Sequence, residues 1–366
     1  MTRTPPHREE PGWHSIQIRY HAENKDDLIL DAVHPLLTAL ADAVDQPHLL
    51  RHWRRGPHLR INLRTTPQLW AEVVRPTAQR DLTAYLHDNP STASLREAEH
   101  LAAHRRLAVR EADHGPLTPW YPDNTVQFEP HEDRQHVLGS PALAGLLADG
   151  YARSTALTVD TLAGVRSGAV DRVGHALDLM FAFGHLSVPP ISRGYMSFRS
   201  HVESFLGYTA DPDAVRSTFD ERYHRHRPAL RDRLHTTRAI VAGSRRDPLV
   251  EAWLEIVRRQ KALAEPLFTS GAIDLDHLDQ RGMELRHRIE FHDILRETTA
   301  HRREVLSQVW FRCHRLAINQ LYSHLSRIGI VPTQRYLLCH LVARTVEEEY
   351  DISPVALARQ FVNDRR

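Results

Sequence analysis

The first regular pattern in the chain is an alternation of apolar and polar side chains, which is typical of half-buried β-strands. It occurs at Trp13–Tyr20 and again at His58–Arg64, where a Gly-Pro turn precedes the alternating stretch. In the second stretch the apolar residues should face a core. The polar residues on its opposite face are His58, Arg60, Asn62 and Arg64. The pattern therefore predicts two strands, one of which presents four polar side chains on a single face.

Apolar residues recur at helical spacing in the segments that follow these strands. Asp26–Val44 and Pro67–Asn89 are predicted helices, and Asn124–Phe128 is a third predicted strand. After Asp160 the chain is expected to be mainly helical, with helices at Gly168–Gly184, Pro212–Arg238, Pro248–Leu267, Asp276–Arg286 and Glu304–Leu325. The expected fold class is α+β, with a small mixed strand and helix N-terminal half and a mainly helical C-terminal half.

The order of these elements indicates one composite domain rather than a series of modules. Residues 1–12 are rich in Pro and charge and are expected to form a disordered lead-in. The sequence shows no repeat with a period of roughly 20–50 residues and no flexible linker. Residues 13–366 are therefore predicted to form a single domain, with a soft boundary near residue 160 between the α/β part and the helical part.

The composition excludes several classes of protein. The 366 residues include 47 Lys+Arg and 46 Asp+Glu, a formal net charge of +1, so no global electrostatic field selects nucleic acid. Apolar runs are broken well before the roughly 18 residues of a membrane span, and no apolar stretch of a secretory signal follows Met1. Two cysteines, Cys313 and Cys339, are too few for a disulfide framework. We expect a soluble, cytoplasmic protein that binds neither nucleic acid nor a membrane.

The polar face of the His58–Arg64 strand is the first candidate for chemistry. Two guanidinium groups, Arg60 and Arg64, stand beside an imidazole and the Asn62 amide at alternate positions. Such a fixed array of donors suits the binding of peptide carbonyls or of a carboxylate, or the stabilisation of negative charge during a reaction. The alternative is an edge strand whose charged face is solvated.

A second candidate is Tyr195–Phe205, which follows a loop rich in Pro and Gly. If this segment begins a helix, Ser197 and His201 lie within one turn of each other, with Tyr195 and Glu203 close by. These side chains are proton-transfer groups of graded acidity, and histidine can act near neutral pH. The alternative is an ordinary helix start in which a serine caps the helix and His201 and Glu203 point into solvent.

The other polar clusters give weaker signals. The turn Glu129–His136 mixes carboxylates, imidazoles and Arg134, and it is either a site loop or an exposed loop. The pairs His100/His104 and His287/His292 do not match the H-E-x-x-H pattern of zinc enzymes, so no metal site is predicted. No nucleotide-binding, nucleophile-elbow or Cys-x-x-Cys motif occurs, and no cofactor is expected.

Together these stretches resemble the thiopeptide-type bacteriocin biosynthesis family, which includes the C-terminal elimination domain of lantibiotic dehydratases. Family members combine a Trp before a short strand, an aromatic and basic segment ending in H-[LI]-R-L-R, an acidic turn of the type E-x-x-R followed by Gly, and a late S-x-x-H-M-x-x-N-R-L element. The corresponding stretches are Trp13, His52–Arg55, His58–Asn62, Phe128–Gly139 and the segment FRCHRLAINQL that ends at Leu321.

The departures from that pattern point to one branch of the family. The second Arg of the strand motif is replaced by Asn62, the Glu of the turn by His131, and the His of the last element by Arg315. An Asn amide has neither the charge nor the bidentate fork of a guanidinium, so glutamate elimination is not expected. With Ser197–Phe205, the chain is most similar to the pyridine synthases of thiopeptide pathways.

The resemblance implies a formal [4+2] aza-cycloaddition between two dehydroalanines of a leader-bearing ribosomal peptide, with loss of water and of the leader. It assigns proton transfer to Tyr195, Ser197, His201 and Glu203, and peptide binding to His58, Arg60, Asn62, Arg64 and Arg134. The expected partners are the precursor peptide and other enzymes of the pathway. Two alternatives stay open: a split elimination domain that removes glutamate from glutamylated Ser or Thr, and an inactive escort that binds the leader.

Overall fold

The computed structural model describes residues 10–275, 287–296 and 306–363. Within these residues the chain divides into two compact units. The first comprises Met1–Val137 and Leu147–Ala163, and the second comprises Leu138–Leu146 and Gly164–Arg366. The predicted helix Asp276–Arg286 and most of the predicted lead-in lie outside the described residues. None of the described helices combines the length and apolarity that a membrane span requires.

The first unit contains a four-stranded antiparallel sheet with the strand order β2-β3-β1-β4. Its strands are β1 (Gly12–Arg19), β2 (Asp45–His52), β3 (His58–Thr65) and β4 (Thr125–Pro130). The predicted strands are confirmed, and β2 is an additional edge strand that the alternation pattern did not predict. Because β1 and β3 are the inner strands, the alternating side chains identified in the sequence lie at the centre of the sheet.

Helices connect β1 to β2 and β3 to β4, whereas β2 and β3 follow each other directly. A π-helical turn (Leu28–Val33) leads into α1 (His34–Ala39), and the short α2 (Pro67–Leu69) and a second π-helical turn (Trp70–Val74) lead into α3 (Arg75–Asp88). These elements confirm the two predicted helices. Further along the unit come α4 (Glu97–Glu111), α5 (Gln135–Leu138) and α6 (Pro141–Arg166), of which residues 147–163 belong to this unit.

The apolar face of the sheet forms the core of the first unit. Ile16, Ile18, Leu59, Ile61 and Leu63 are completely buried. The helical layer lies on this same face, because the Trp70 ring stacks on His14 and meets Phe128 edge to face, and both of these residues are in register with the apolar positions of β1. The opposite face therefore presents the polar side chains.

The second unit is helical. Its helices are α7 (Arg172–Ser187), α8 (Ile191–Gly194), α9 (Met196–Leu206), α10 (Pro212–Val241), α11 (Pro248–Thr269), α12 (Glu290–Arg296), α13 (Val309–Arg327), α14 (Pro332–Glu349) and α15 (Pro354–Asn363). α7 packs on α10, α10 on α14, and α14 on α9. The structure therefore confirms the predicted α+β class and the predominance of helices in the C-terminal half.

Local sequence explains where the long helices begin. Asp171, Asp211 and Asp247 each accept hydrogen bonds from the first free backbone N–H groups of α7, α10 and α11. In α10 and α11 a proline follows the capping aspartate, at the position where its missing N–H has no helical partner. These Asp-Pro pairs place the helix starts at Pro212 and Pro248, as predicted.

Candidate active site

The polar side chains of β1 and β3 form a continuous surface on one side of the sheet, which we call the polar face. The register pairs Ser15 with Asn62, Gln17 with Arg60 and Arg19 with His58. All six side chains are at most 5% exposed. The alternative of a solvated edge strand is therefore wrong, because β3 is an inner strand and its polar residues are buried.

Many polar atoms of this face have no protein partner within the described residues. Six of them are buried without a hydrogen bond: Ser15 Oγ, Arg19 Nε, His58 Nε2, Arg60 Nε, Asn62 Oδ1 and Arg64 Nε. An unsatisfied buried donor or acceptor costs on the order of 1–3 kcal/mol. Donors and acceptors are both present, and they lie on neighbouring positions of two strands. This combination matches the alternating N–H and C=O groups of a peptide.

Arg19 was not predicted as a site residue, and its environment is unusual. Its guanidinium donates to the carbonyl of Arg54 at 3.0 Å and contacts the His58 ring nitrogen Nδ1 at 2.8 Å, and it lies over the Tyr121 ring. Among the described residues, no carboxylate forms a hydrogen bond or an ion pair with the Arg19 guanidinium. Burial lowers the pKa of Arg19 to about 10, so the group stays charged at neutral pH. The polar face thus carries a fixed positive charge at Arg19.

The acidic turn after β4 lies over the same face. Arg60 pairs with Glu132 at 3.3 Å, and Glu132 also pairs with Arg54. The His131 ring stacks on Trp13 at 4.9 Å. Arg134, in a left-handed conformation, donates to the Glu111 carbonyl at 2.5 Å. The predicted residues Arg60 and Arg134 thus both lie near this turn. The turn is largely exposed, as Glu132, Asp133 and Gln135 show, but Glu132 reaches back to two arginines.

Arg64 and Asn62 complete the predicted binding residues. Asn62 Nδ2 lies 3.3 Å from the ring nitrogen Nε2 of His48, which leaves its Oδ1 as the orphaned acceptor. Arg64 is less buried and donates to the Pro11 carbonyl at 3.2 Å. Burial, followed by the charge of Arg19, holds the pKa of His58 well below its usual value, so this imidazole is neutral.

The second group of predicted residues lies on α9, in the other unit. Tyr195 precedes the helix and is completely buried, and its hydroxyl has no partner among the described residues. Burial, followed by the negative charge of Glu347, raises the pKa of Tyr195, which therefore keeps its proton and can act as a donor. No serine side chain caps α9, so this segment is not an ordinary capped helix start.

Ser197 and His201 point toward different neighbours. Ser197 Oγ lies 2.6 Å from Nε2 of His314 on α13. The His201 ring is stacked between Tyr322, at 4.6 Å, and Tyr336, at 4.9 Å, and its Nε2 is buried without a partner. Burial, followed by the charge of Arg335, lowers the pKa of His201 to about 3. His201 is thus a neutral ring at physiological pH, whereas the sequence suggested titration near neutrality.

The Glu203 carboxylate is hydrogen-bonded to two arginines. Arg216 donates to its carboxylate at 2.9 and 2.7 Å, and Arg199 donates at 3.2 Å. Burial alone would raise the pKa of Glu203, but hydrogen bonds and charge from Arg216 and Arg199 lower it. The structure therefore does not bring Glu203 together with Tyr195, Ser197 and His201 as a free base.

His314 and Ser187 are site residues that sequence reasoning missed. Ser187 Oγ lies 2.7 Å from Nδ1 of His314, opposite the contact with Ser197. The late family element carries a signal for His314: Arg315 stands at the position of the family histidine, and a histidine stands one residue earlier.

Two glycines determine how closely the segments before these serines approach. A Cβ atom on Gly194, at the end of α8, would overlap the carbonyl oxygen of Gly184 on α7. Gly194 therefore requires the absence of a side chain for α7 and α8 to pack as they do, whereas a Cβ atom on Gly184 would press on the Ile191 side chain at 3.0 Å.

The described residues contain no group of three or more His, Cys, Asp or Glu side chains placed to hold a metal ion. The chemistry that the side chains themselves offer is hydrogen bonding and proton transfer. Peptide-sized groups could be held by the polar face, and Tyr195, Ser197 and His201 could donate or accept protons.

Comparisons with known proteins agree with this description. The family model of the lantibiotic biosynthesis dehydratase C-terminus matches residues 13–346. The pyridine synthase TbtD from thiomuracin biosynthesis is 33% identical, with a TM-score of 0.76 over 93% of this chain and 99% of that chain. No curated protein matches the chain.

Two further solved structures show a likeness of fold alone. TsrL is 22% identical, with a TM-score of 0.71 over 96% of this chain and 99% of that chain. The tRNA-dependent lantibiotic dehydratase MibB from Microbispora sp. 107891 is 14% identical, with a TM-score of 0.51 over 96% of this chain and 29% of that chain. The resemblance that short motifs suggested is thus confirmed over most of the sequence, and the chain belongs to the family of the lantibiotic biosynthesis dehydratase C-terminal domain.

Proposed function

We propose that this protein is a pyridine synthase. It joins two dehydroalanines of a leader-bearing ribosomal peptide by a formal [4+2] aza-cycloaddition and then releases water and the leader as a carboxamide. The observation that supports this most is the 33% identity to a pyridine synthase over nearly the full length of both chains. Proton transfer and the positioning of two alkenes suffice for the ring closure, so the proposal invokes no redox or metal step.

The polar face is suited to hold the peptide backbone. Asn62 Oδ1 can accept from a peptide N–H, and Arg60 Nε can donate to a carbonyl, because both atoms are buried and unpartnered. Holding two reacting groups in position contributes up to roughly 7–11 kcal/mol to a reaction. A neutral amide at position 62 suits this purpose. The expulsion of a glutamate would instead need a cation that binds its carboxylate.

The residues of α9 are suited to the proton transfers. One substrate amide has to become an iminol, which requires a proton acceptor near nitrogen and a donor near oxygen. Ser197 is hydrogen-bonded to an imidazole, Tyr195 stays protonated, and His201 offers a neutral ring with a buried, unpartnered Nε2. These three side chains are the proposed proton-transfer groups, and the precursor peptide is the proposed partner, with other pathway enzymes beside it.

The proposal predicts that the protein alone converts a dehydrated, leader-bearing peptide with two dehydroalanines into a pyridine-containing macrocycle. Mass spectrometry should detect the macrocycle, the released leader carboxamide and the loss of one water. The matched control is a peptide in which one dehydroalanine is alanine, which cannot react. An unchanged dehydrated peptide that nevertheless co-purifies with the protein would contradict the proposal and favour a leader-binding escort.

Asn62→Arg separates pyridine formation from glutamate elimination. In a pyridine synthase the substitution adds a buried cation beside Arg60 and removes the acceptor Oδ1, so cyclisation should fall by about tenfold or more, which corresponds to a loss of at least about 1.4 kcal/mol. In an eliminase it would restore the family residue and preserve or raise activity. Reaction rates on a dehydrated peptide and on a glutamylated peptide decide between pyridine formation and glutamate elimination. The matched control is Gln79→Arg, which changes an exposed residue on α3.

Because position 62 is buried, thermal unfolding of both variants is measured as well, to show that each is folded in the assay. Cyclisation at the parental rate by a folded Asn62→Arg protein would place the polar face outside the site. Eliminated product from the unmodified protein would overturn the choice of reaction.

A further inference from the structure

The contacts of His314 form a chain of three side chains from three helices. Ser187 ends α7, Ser197 lies in the first turn of α9, and His314 lies in the second turn of α13. The two serine oxygens are 2.7 and 2.6 Å from Nδ1 and Nε2 of the ring. Contacts this short at both nitrogens of one buried imidazole fix the plane of the ring as well as its position.

The ring is buried and neutral. His314 is 2% exposed, and the rings of Phe183 and Phe311 lie 5.4 and 6.4 Å from it. Burial, followed by the positive charge of Lys261, lowers the pKa of His314 to about 4. A neutral imidazole has one N–H and one acceptor nitrogen, so one serine must donate to it while the other accepts.

The two serines differ in their surroundings. Ser187 is 5% exposed and its backbone carbonyl accepts a hydrogen bond from Lys261 at 3.0 Å, whereas Ser197 is more exposed and lies beside the proposed proton-transfer residues Tyr195 and His201. Ser197 is therefore the end that can meet a substrate. Ser187 occupies the place of the orienting group in a serine–histidine–carboxylate triad, where the third residue fixes the tautomer of the histidine.

We propose that His314 is a positioning residue that activates Ser197, and that Ser187 holds His314 in the tautomer whose Nε2 accepts from Ser197. This rests on the proposed function. Ser197 Oγ takes the proton of the substrate amide N–H while its own proton moves to His314 Nε2. His314 then returns that proton through Ser197 as the iminol oxygen is protonated. The amide proton has moved from nitrogen to oxygen, and Ser197 and His314 end in their starting protonation states.

Kinetics test the role of the chain in turnover. His314→Asn can keep an amide near Ser187, and His314→Gln can keep one near Ser197, but neither bridges both serines. Both variants and Ser197→Ala should lower kcat by about 10²-fold or more, the contribution expected of a proton-transfer group, with KM within about threefold. Ser187→Ala should lower kcat by up to about tenfold, the effect of one lost hydrogen bond. Ser192→Ala on α8 is the matched control.

A spectroscopic measurement tests the chain without turnover. In protein labelled with ¹⁵N in the histidine rings, the His314 signals are those that disappear in His314→Gln. At pH 7 we expect one protonated and one unprotonated ring nitrogen, with a tautomer ratio that changes in Ser187→Ala and stays the same in Ser192→Ala. If the unmodified protein forms no pyridine, the proposed function fails and this measurement alone decides the inference.

Two results would overturn the inference. One is a doubly protonated His314 at pH 7, or a tautomer ratio unaffected by Ser187→Ala. The other is a parental kcat in folded His314→Asn and His314→Gln, which would reduce the three side chains to a packing contact between helices. Circular dichroism melts show which variants are folded at the assay temperature.

Discussion

Lowering the pH from 7 to 5 is expected to reduce the free energy of unfolding of the helical unit by several kcal/mol. Five of its histidines have strongly lowered pKa values, chiefly because of burial: His201 to about 3, His185, His314 and His340 to about 4, and His324 well below its usual value. In the unfolded chain each would titrate near its ordinary value of about 6.5. Between those values the unfolded state binds protons that the native state does not, so stability is lost as the pH falls below about 6.5.

The size of the effect follows from the pKa difference. Each such group contributes about 1.4 kcal/mol per pH unit in this window, or about 2 kcal/mol between pH 6.5 and pH 5. Five such groups together are comparable with the total stability of an ordinary domain, which is about 5–15 kcal/mol. Burial also raises the pKa values of Glu347 and Asp178, and these two carboxyl groups act in the opposite direction.

Urea unfolding at pH 7, 6 and 5 measures this dependence. Replacing His340 by Gln should remove about one proton from the slope of stability against pH, whereas replacing the exposed His226 by Gln should leave the slope unchanged. A stability that is constant between pH 7 and pH 5 would show that these imidazoles are accessible to protons in the native state.

Replacing Glu347 with Gln is expected to destabilise the protein by about 3–5 kcal/mol, the cost of breaking a buried ion pair. Glu347 on α14 accepts two hydrogen bonds from Arg199 on α9, at 2.7 and 2.6 Å, and both side chains are 4% exposed. Removal of the carboxylate leaves Arg199 buried, with Glu203 as its remaining acidic partner at 3.2 Å. The variant therefore loses the contact that joins α14 to the helix of the candidate active site.

The same helix provides the control. Glu349, two residues further on, pairs with Arg231 and with His235, both of which are largely exposed, so Glu349→Gln should cost less than about 1 kcal/mol. Chemical denaturation of the two variants gives the comparison. Similar midpoints for both would mean that the Arg199–Glu347 pair is as solvated as a surface pair.

Periodicity was sufficient to predict most elements that bury a single face. β1, β3, α10 and α11 follow their sequence patterns, because alternation and Asp-Pro caps are local signals. β2 was missed because its apolar and polar residues do not alternate, and its pairing with β3 is irregular between Asp45 and His48. α14 was missed for a different reason. It is surrounded by other helices and buries polar residues such as His340 and Glu347, so it has no clear apolar stripe.

Only those residues of the candidate site that lie close together in the sequence were predicted. The strand His58–Arg64 and the segment after Gly194 were found because several polar groups occur close together in the sequence. Arg19 and His314 carry no motif of their own in the sequence, and what distinguishes them is a contact with a residue from another element. The role of Glu203 was likewise decided by Arg216, thirteen residues away, which no pattern connects to it.

The close packing of Gly184 against Gly194 has a consequence for the distance between the two serines. Ser187 and Ser197 each follow one of these glycines by three residues, so the separation of their hydroxyls is set by how near the two backbones come. The gap accommodates one imidazole ring in hydrogen-bonding contact on both sides. The spacing of the serine pair thus depends on two residues that have no side chain, and a methyl group at Gly194, which would overlap the Gly184 carbonyl oxygen, would change which ring fits between the hydroxyls.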